Sequence, residues 1–175
     1  MNKVIFLQRL QRERDKFELL LNQVGYTRQM TVTGVSGVWS IKDILAHVFA
    51  YEQYMADRME EIHNNKPYIP CKTPNALGAF LQEFGYPDFG SPLLDDDEPN
   101  AWIVERYKNV PLEEIVVQEL HAFATVIRLL EKMPEQIILK NDLYERVANN
   151  TFKHYQEHIK DIKHWLSARR ISGTK

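Results

Sequence analysis

Three of the chain's six histidines fall in the stretch NNTFKHYQEHIKDIKHW, residues 149–165. His154 and His158 stand four apart, the spacing that stacks two side chains on one face of a helix. Two neutral imidazoles so placed can converge on one divalent ion at nitrogen–metal distances of about 2.0–2.2 Å. A third imidazole from elsewhere would complete a three-nitrogen site with positions left open for water or substrate, the coordination of a reactive rather than a structural centre. The spacing alone carries little, because helices with two histidines at this interval are common. The alternative is a pair of half-exposed side chains, solvated or paired with Glu157 or Asp161.

Where the histidines stand on their helices sharpens the reading. At roughly 100° per residue, Ala148, Phe152, Tyr155, Ile159, Ile162 and Leu166 form one apolar stripe. His154 and His158 lie about 100° from its middle, beside Val147, Thr151 and Trp165, whereas His164 turns to the polar side. An earlier helix has its apolar centre at Ile41, Ile44, Val48, Met55 and Ile62, with His47 about 100° to one side, in line with Tyr51, Tyr54 and Arg58. Two helices thus carry histidine on the border between core and solvent, where a pocket in a bundle opens. Tyr51 and Tyr54 are candidate pocket-lining residues and hydrogen-bond donors to a leaving group. Arg58 is a candidate cation for an anionic co-substrate, though a surface arginine paired with Glu61 or Glu52 is the favoured reading. His63, in the polar run EIHNNK, and His121, with no histidine at helical spacing, read as surface residues.

Four long helices are needed to hold these residues. Ile5, Phe6, Leu10, Phe17, Leu20, Leu21 and Val24 predict a first helix ending near Gly25, followed by a loop through YTRQMTVTGVSGVW. Ser40 and Asp43 have capping-box spacing, and Trp39 with Ile44 has that of a hydrophobic staple, so a second helix starts there and stops near Asn64–Asn65. A long, partly irregular insertion, Pro67–Pro99, separates the second and third core helices. Within it Thr73 and Pro74 predict a short helix, and GYPDFGSPLLDDDEP is turn-rich and acidic. Such a segment can cover a site, but a surface excursion is the favoured expectation, with Asp95–Glu98 solvated. Helical spacing returns at Trp102, Ile103 and Tyr107, breaks at Asn109–Pro111, and resumes through Leu130. There Pro111 is expected in the first turn, with Asn109 or Val110 at the cap, and Met133–Pro134 at the end. The last helix is expected to begin near Asn141–Asp142, where Asp142 and Glu145 have capping-box spacing, and to end by Arg170–Ser172. The expected fold is all-α, a four-helix bundle with an insertion, formed as one domain over residues 1–175.

Composition bounds the function. With 22 basic and 24 acidic residues and a formal net charge of −2, the chain lacks the basic excess of a nucleic-acid binder. One cysteine, Cys71, precludes an intramolecular disulfide and suits a reducing compartment. No signal-peptide pattern and no membrane-length apolar run is present, so the expectation is a cytoplasmic protein without membrane contact. No nucleophile triad, phosphate-binding glycine loop or haem motif is visible.

Two stretches match a known pattern. WSIKDILAH, Trp39–His47, resembles the W-S-x-K-D-x-L-A-H segment that opens the second helix of DinB-like proteins of the damage-inducible/YfiT superfamily. NTFKHYQEHI, Asn150–Ile159, is similar to the N-T-Y-x-H-Y-x-E-H-I form of that family's last helix. The resemblance implies a four-helix bundle, often a homodimer, with zinc or nickel held by His47, His154 and His158. It also implies a small-molecule substrate and a metal-dependent thiol transferase using a low-molecular-weight thiol such as bacillithiol or mycothiol. Metal-dependent hydrolysis and non-enzymatic ligand binding are the alternatives. The long 67–99 insertion departs from the compact members, so their substrate contacts do not carry over.

Overall fold

The structure is a computed structural model that describes residues 2–26, 28–95 and 97–172. It begins where local signals are strongest. The Ser40 hydroxyl accepts the Asp43 N–H at 3.2 Å, and the Asp43 carboxylate accepts the Ser40 N–H at 2.8 Å. This is the expected capping box, and it starts α2 (Ile41–His63). Eight helices are described in all: α1 (Lys3–Tyr26), α2, α3 (Pro74–Phe84), α4 (Asp97–Tyr107), α5 (Leu112–Lys132), α6 (Glu135–Lys140), α7 (Leu143–Asn150) and α8 (Phe152–Ser172). Among the described residues there is no strand, only an isolated bridge between Ser36 and Trp39. No described helix is long and apolar enough to cross a membrane.

α1, α2, α5 and α8 are the long elements, and α2 is the most enclosed. Its Ile41, Ile44, Val48, Met55 and Met59 are at most 1% exposed. It packs mainly on α5, while α1 packs on α8. A buried polar network takes one residue from each long helix. Arg14 of α1 donates both Nη atoms to the two carboxylate oxygens of Glu119 on α5, and Tyr155 of α8 donates its hydroxyl to Glu52 of α2. Arg14 Nη1 also stands 3.8 Å from Glu52 Oε1. All four side chains are almost fully buried. Groups this far from water are tolerated only when paired, so the network constrains how the helices line up.

Several expected boundaries shift. The last helix does not run unbroken from Asn141. Thr151 breaks it with φ −131° and ψ −103°, giving α7 and α8. The Thr151 hydroxyl donates to the Val147 carbonyl at 2.5 Å, taking up a backbone acceptor at the break. The Asp142–Glu145 capping box does not form, because Asp142 adopts left-handed backbone, φ 51°, from which its side chain makes no cap bond. Pro111 is itself the cap of α5, outside the first turn. Beyond Met133–Pro134 a further short helix, α6, follows.

Residues 67–99 are largely exposed, but part of the segment is packed. Thr73 caps α3 through the Ala76 N–H, and Pro74 opens the first turn, as the sequence indicates. The segment's aromatic residues and Asp88, however, lie against the flank of α2. Phe89 packs on Tyr51 at 5.0 Å between ring centroids, Tyr68 and Asp88 engage Tyr54, and Phe80 and Phe84, themselves 4.5 Å apart, lie together against Arg58. Gly90 makes this approach possible, since a Cβ there would collide with the hydroxyls of Tyr68 and Tyr54. The acidic run is mostly exposed; Asp95 caps the start of α4 by accepting the N–H groups of Asp97 and Glu98, and Asp96 lies outside the described residues.

Candidate metal site

α2 delivers His47 two turns beyond its cap, and α8 delivers His154 and His158 from its first two turns. The three imidazoles meet. His47 Nε2 lies 2.6 Å from His154 Nε2, and His154 Nε2 lies 3.1 Å from His158 Nε2. Among the described residues this is the one group of histidine, cysteine, aspartate and glutamate side chains that could hold a metal ion, with ligand atoms within 4.8 Å of one another. His47 and His158 are 6% and 8% exposed; His154 is half-buried and meets the other two imidazoles, not Glu157 or Asp161. His63, His121 and His164 are exposed and away from the cluster, as expected.

The chemistry of this donor set suits a cation. Burial holds His47 down to about 3 and His158 to about 4, and it lowers His154 well below the usual histidine range; the neighbouring imidazoles add to the effect at His47 and His154. All three are therefore neutral near pH 7, each with a lone pair available. Ligands about 2.1 Å from a common ion stand roughly 3–3.4 Å apart, so His154 and His158 already have that separation and His47 needs to recede by a few tenths of an ångström. The Nδ1 atoms of His47 and His158 are buried without a hydrogen-bond partner. That orphaned pair is compatible with the Nε2 atoms as the ligating set, but it lacks the outer acceptors that usually orient metal-bound histidines.

Aromatic rings wall the cluster. Trp39 packs on His47 at 5.1 Å, and Tyr51 packs on both His47 and His154, at 4.9 and 5.3 Å. Tyr51 also forms one wall of a cleft of about 490 Å³, together with Tyr54, Tyr68, Phe89 and Arg146. Tyr54 is 5% exposed, and its hydroxyl is engaged by Asp88 at 2.9 Å and by Tyr68, so it is fixed in place by the insertion. Burial first, and then Tyr68 and Asp88, push its ionisation far above the usual phenol value. Asp88 accepts the N–H groups of Gly90 and Cys71, and the phenol oxygens of Tyr54 and Tyr68, bonded to each other, stand within hydrogen-bond distance of its carboxylate.

Arg58 is not available to a ligand. It is 1% exposed, lies over the rings of Phe80 and Phe84, and pairs with Glu61 at 3.2 Å. Glu52, the other partner considered for it, is bound to Tyr155 instead. The cationic side chain at the cleft is Arg146, which no motif in the sequence singles out. The buried Arg14, Glu52 and Glu119 were missed too. A signal existed: each sits at three or four residues from core positions on both sides, Leu10 and Phe17, Val48 and Met55, Ile115 and Phe123.

Comparison with models of protein families, with curated proteins and with solved structures gave no match.

Proposed function

We propose that the chain is a DinB-like four-helix-bundle protein, its bundle formed by α1, α2, α5 and α8, that binds zinc or nickel at His47, His154 and His158. Its reaction is transfer of a low-molecular-weight thiol to a small electrophile. The observation that carries this reading is the convergence of three imidazole Nε2 atoms from α2 and α8 beside a cleft. A bound divalent ion would act there as a Lewis acid, lowering the pKa of a thiol or water that it coordinates. The chain's own residues exclude water around the cluster through Trp39 and Tyr51, and hold the insertion over α2 through the Tyr54–Asp88–Tyr68 hydrogen bonds.

Transfer is favoured over hydrolysis by the resemblance of WSIKDILAH and NTFKHYQEHI to DinB-like segments, and the same resemblance supports a homodimer of the 20.6 kDa chain. The deciding experiment incubates metal-loaded protein with a thiol and a panel of alkyl halides, epoxides and Michael acceptors, and in parallel with a panel of esters and amides. Thiol consumption that His154→Ala abolishes supports transfer. Ester cleavage without thiol consumption assigns hydrolysis, and turnover in neither panel assigns a binding protein.

A further inference from the structure

Arg146 is the one charged side chain among the described residues lining the cleft beside the histidines. Its guanidinium lies 4.5 Å above the ring of Tyr68, and no carboxylate among the described residues forms an ion pair with it. Asp88, the acidic group behind the cleft, is fully buried among the Tyr54 and Tyr68 hydroxyls and two backbone N–H groups, and it forms no ion pair with the arginine. A ring beneath a guanidinium fixes its plane and leaves its edge donors free. The walls nearest the cluster, Tyr51 and Phe89, are aromatic and make a tilted contact, with centroids 5.0 Å apart and 32° between their planes.

We infer that Arg146 is the anion-binding residue of this cleft, and that the ligand is a small organic carboxylate with an apolar body. The carboxylate takes the arginine's forked donors, a match of planar geometry and charge. The apolar part lies along Tyr51 and Phe89, which places its far end toward His47 and His154, because Tyr51 touches both of those imidazoles. The cleft volume of about 490 Å³ admits a molecule of that size. The inference rests on the proposed reading of the histidine cluster only for the direction in which the ligand points; the anion site itself stands on Arg146.

The test uses phenylacetate and its neutral isostere phenylacetamide, titrated by NMR into the full chain both metal-loaded and after chelation, with metal content measured on the same samples. Wild-type protein is expected to prefer the carboxylate by roughly tenfold or more, the gain of a charge-assisted pair over a neutral one, with and without metal. Arg146→Gln is expected to erase the preference while keeping amide binding and metal content. Equal affinity for the two probes in the wild type overturns the inference, as does a preference that Arg146→Gln retains, or loss of amide binding in that variant. A carboxylate preference present only in the metal-loaded chain also overturns it, since the ion would then be the anion's partner. Failure of the chain to bind metal, with the preference intact, removes the metal reading and leaves Arg146 assigned.

Discussion

Tyr155 donates its hydroxyl to Glu52 in the fully buried centre of the molecule, joining α8 to α2 one residue from His154. This bond fixes the two helices that carry the histidines at the depth where the histidines meet. The carboxyl of Glu52 has no strong counter-charge of its own, because Arg14 is held by both oxygens of Glu119. Burial, and then the neighbouring Glu119, push Glu52 well above its ordinary value of 4.5, and Arg14 only partly opposes this. The folded protein therefore favours the protonated acid there.

The pH dependence follows. Above 4.5 the unfolded chain releases this proton while the folded chain retains it. Glu52 stabilisation is thus fully present below that pH and declines as pH rises, by at most about 1.4 kcal/mol per unit. Glu52→Gln, which mimics the protonated form, should remove this contribution. Urea unfolding of both proteins at about pH 5 and about pH 7.5 compares the slopes. A wild-type slope unchanged by the substitution would show that Glu52 does not hold its proton.

Gly90→Ala introduces a methyl group where the Tyr54 and Tyr68 hydroxyls stand. The loop must move off α2 or the phenols must separate, and the expected loss is about 1–3 kcal/mol. Hydrogen exchange should show faster exchange at the Cys71 and Gly90 amides, both of which donate to Asp88. Wild-type exchange rates there would mean that the insertion adapts without loosening.

Ser40→Ala removes the hydroxyl that caps the Asp43 N–H two turns before His47. A loss of about 1 kcal/mol is expected from thermal or urea melting, with metal content retained, since the Ile41–Met59 core still seats the helix. Loss of bound metal in this variant would indicate that the cap positions His47.

What was legible in the sequence was local. Ser40 and Asp43 stand three apart, Thr73 precedes Pro74, and both pairs form the caps their spacing indicates. The Thr151 break was not legible, because Thr151 keeps helical periodicity on either side and its backbone angles belong to a buried residue bonded to Val147. Asp142 lost its cap to a left-handed conformation that no side-chain pattern announces. The site divides in the same way. The spacing of His154 and His158 put them on one face, but their convergence with His47 depends on α2 and α8 lying side by side, which was anticipated only through a resemblance. Within residues 67–99 the acidic run is exposed, as its composition indicates, whereas the contacts of Phe80, Phe84, Tyr86 and Phe89 with α2 depend on tertiary packing that no local pattern announces.

Metal content is the most direct test of the histidine cluster. The protein should be purified without a nickel column, and its bound metals measured per chain by mass spectrometry, before and after zinc addition and dialysis. Wild-type protein is expected to hold about one divalent ion per chain and His154→Ala essentially none, with the variant still folded by circular dichroism. An ion-free wild type after zinc addition, or a His154→Ala variant that holds as much metal as the wild type, would contradict the account.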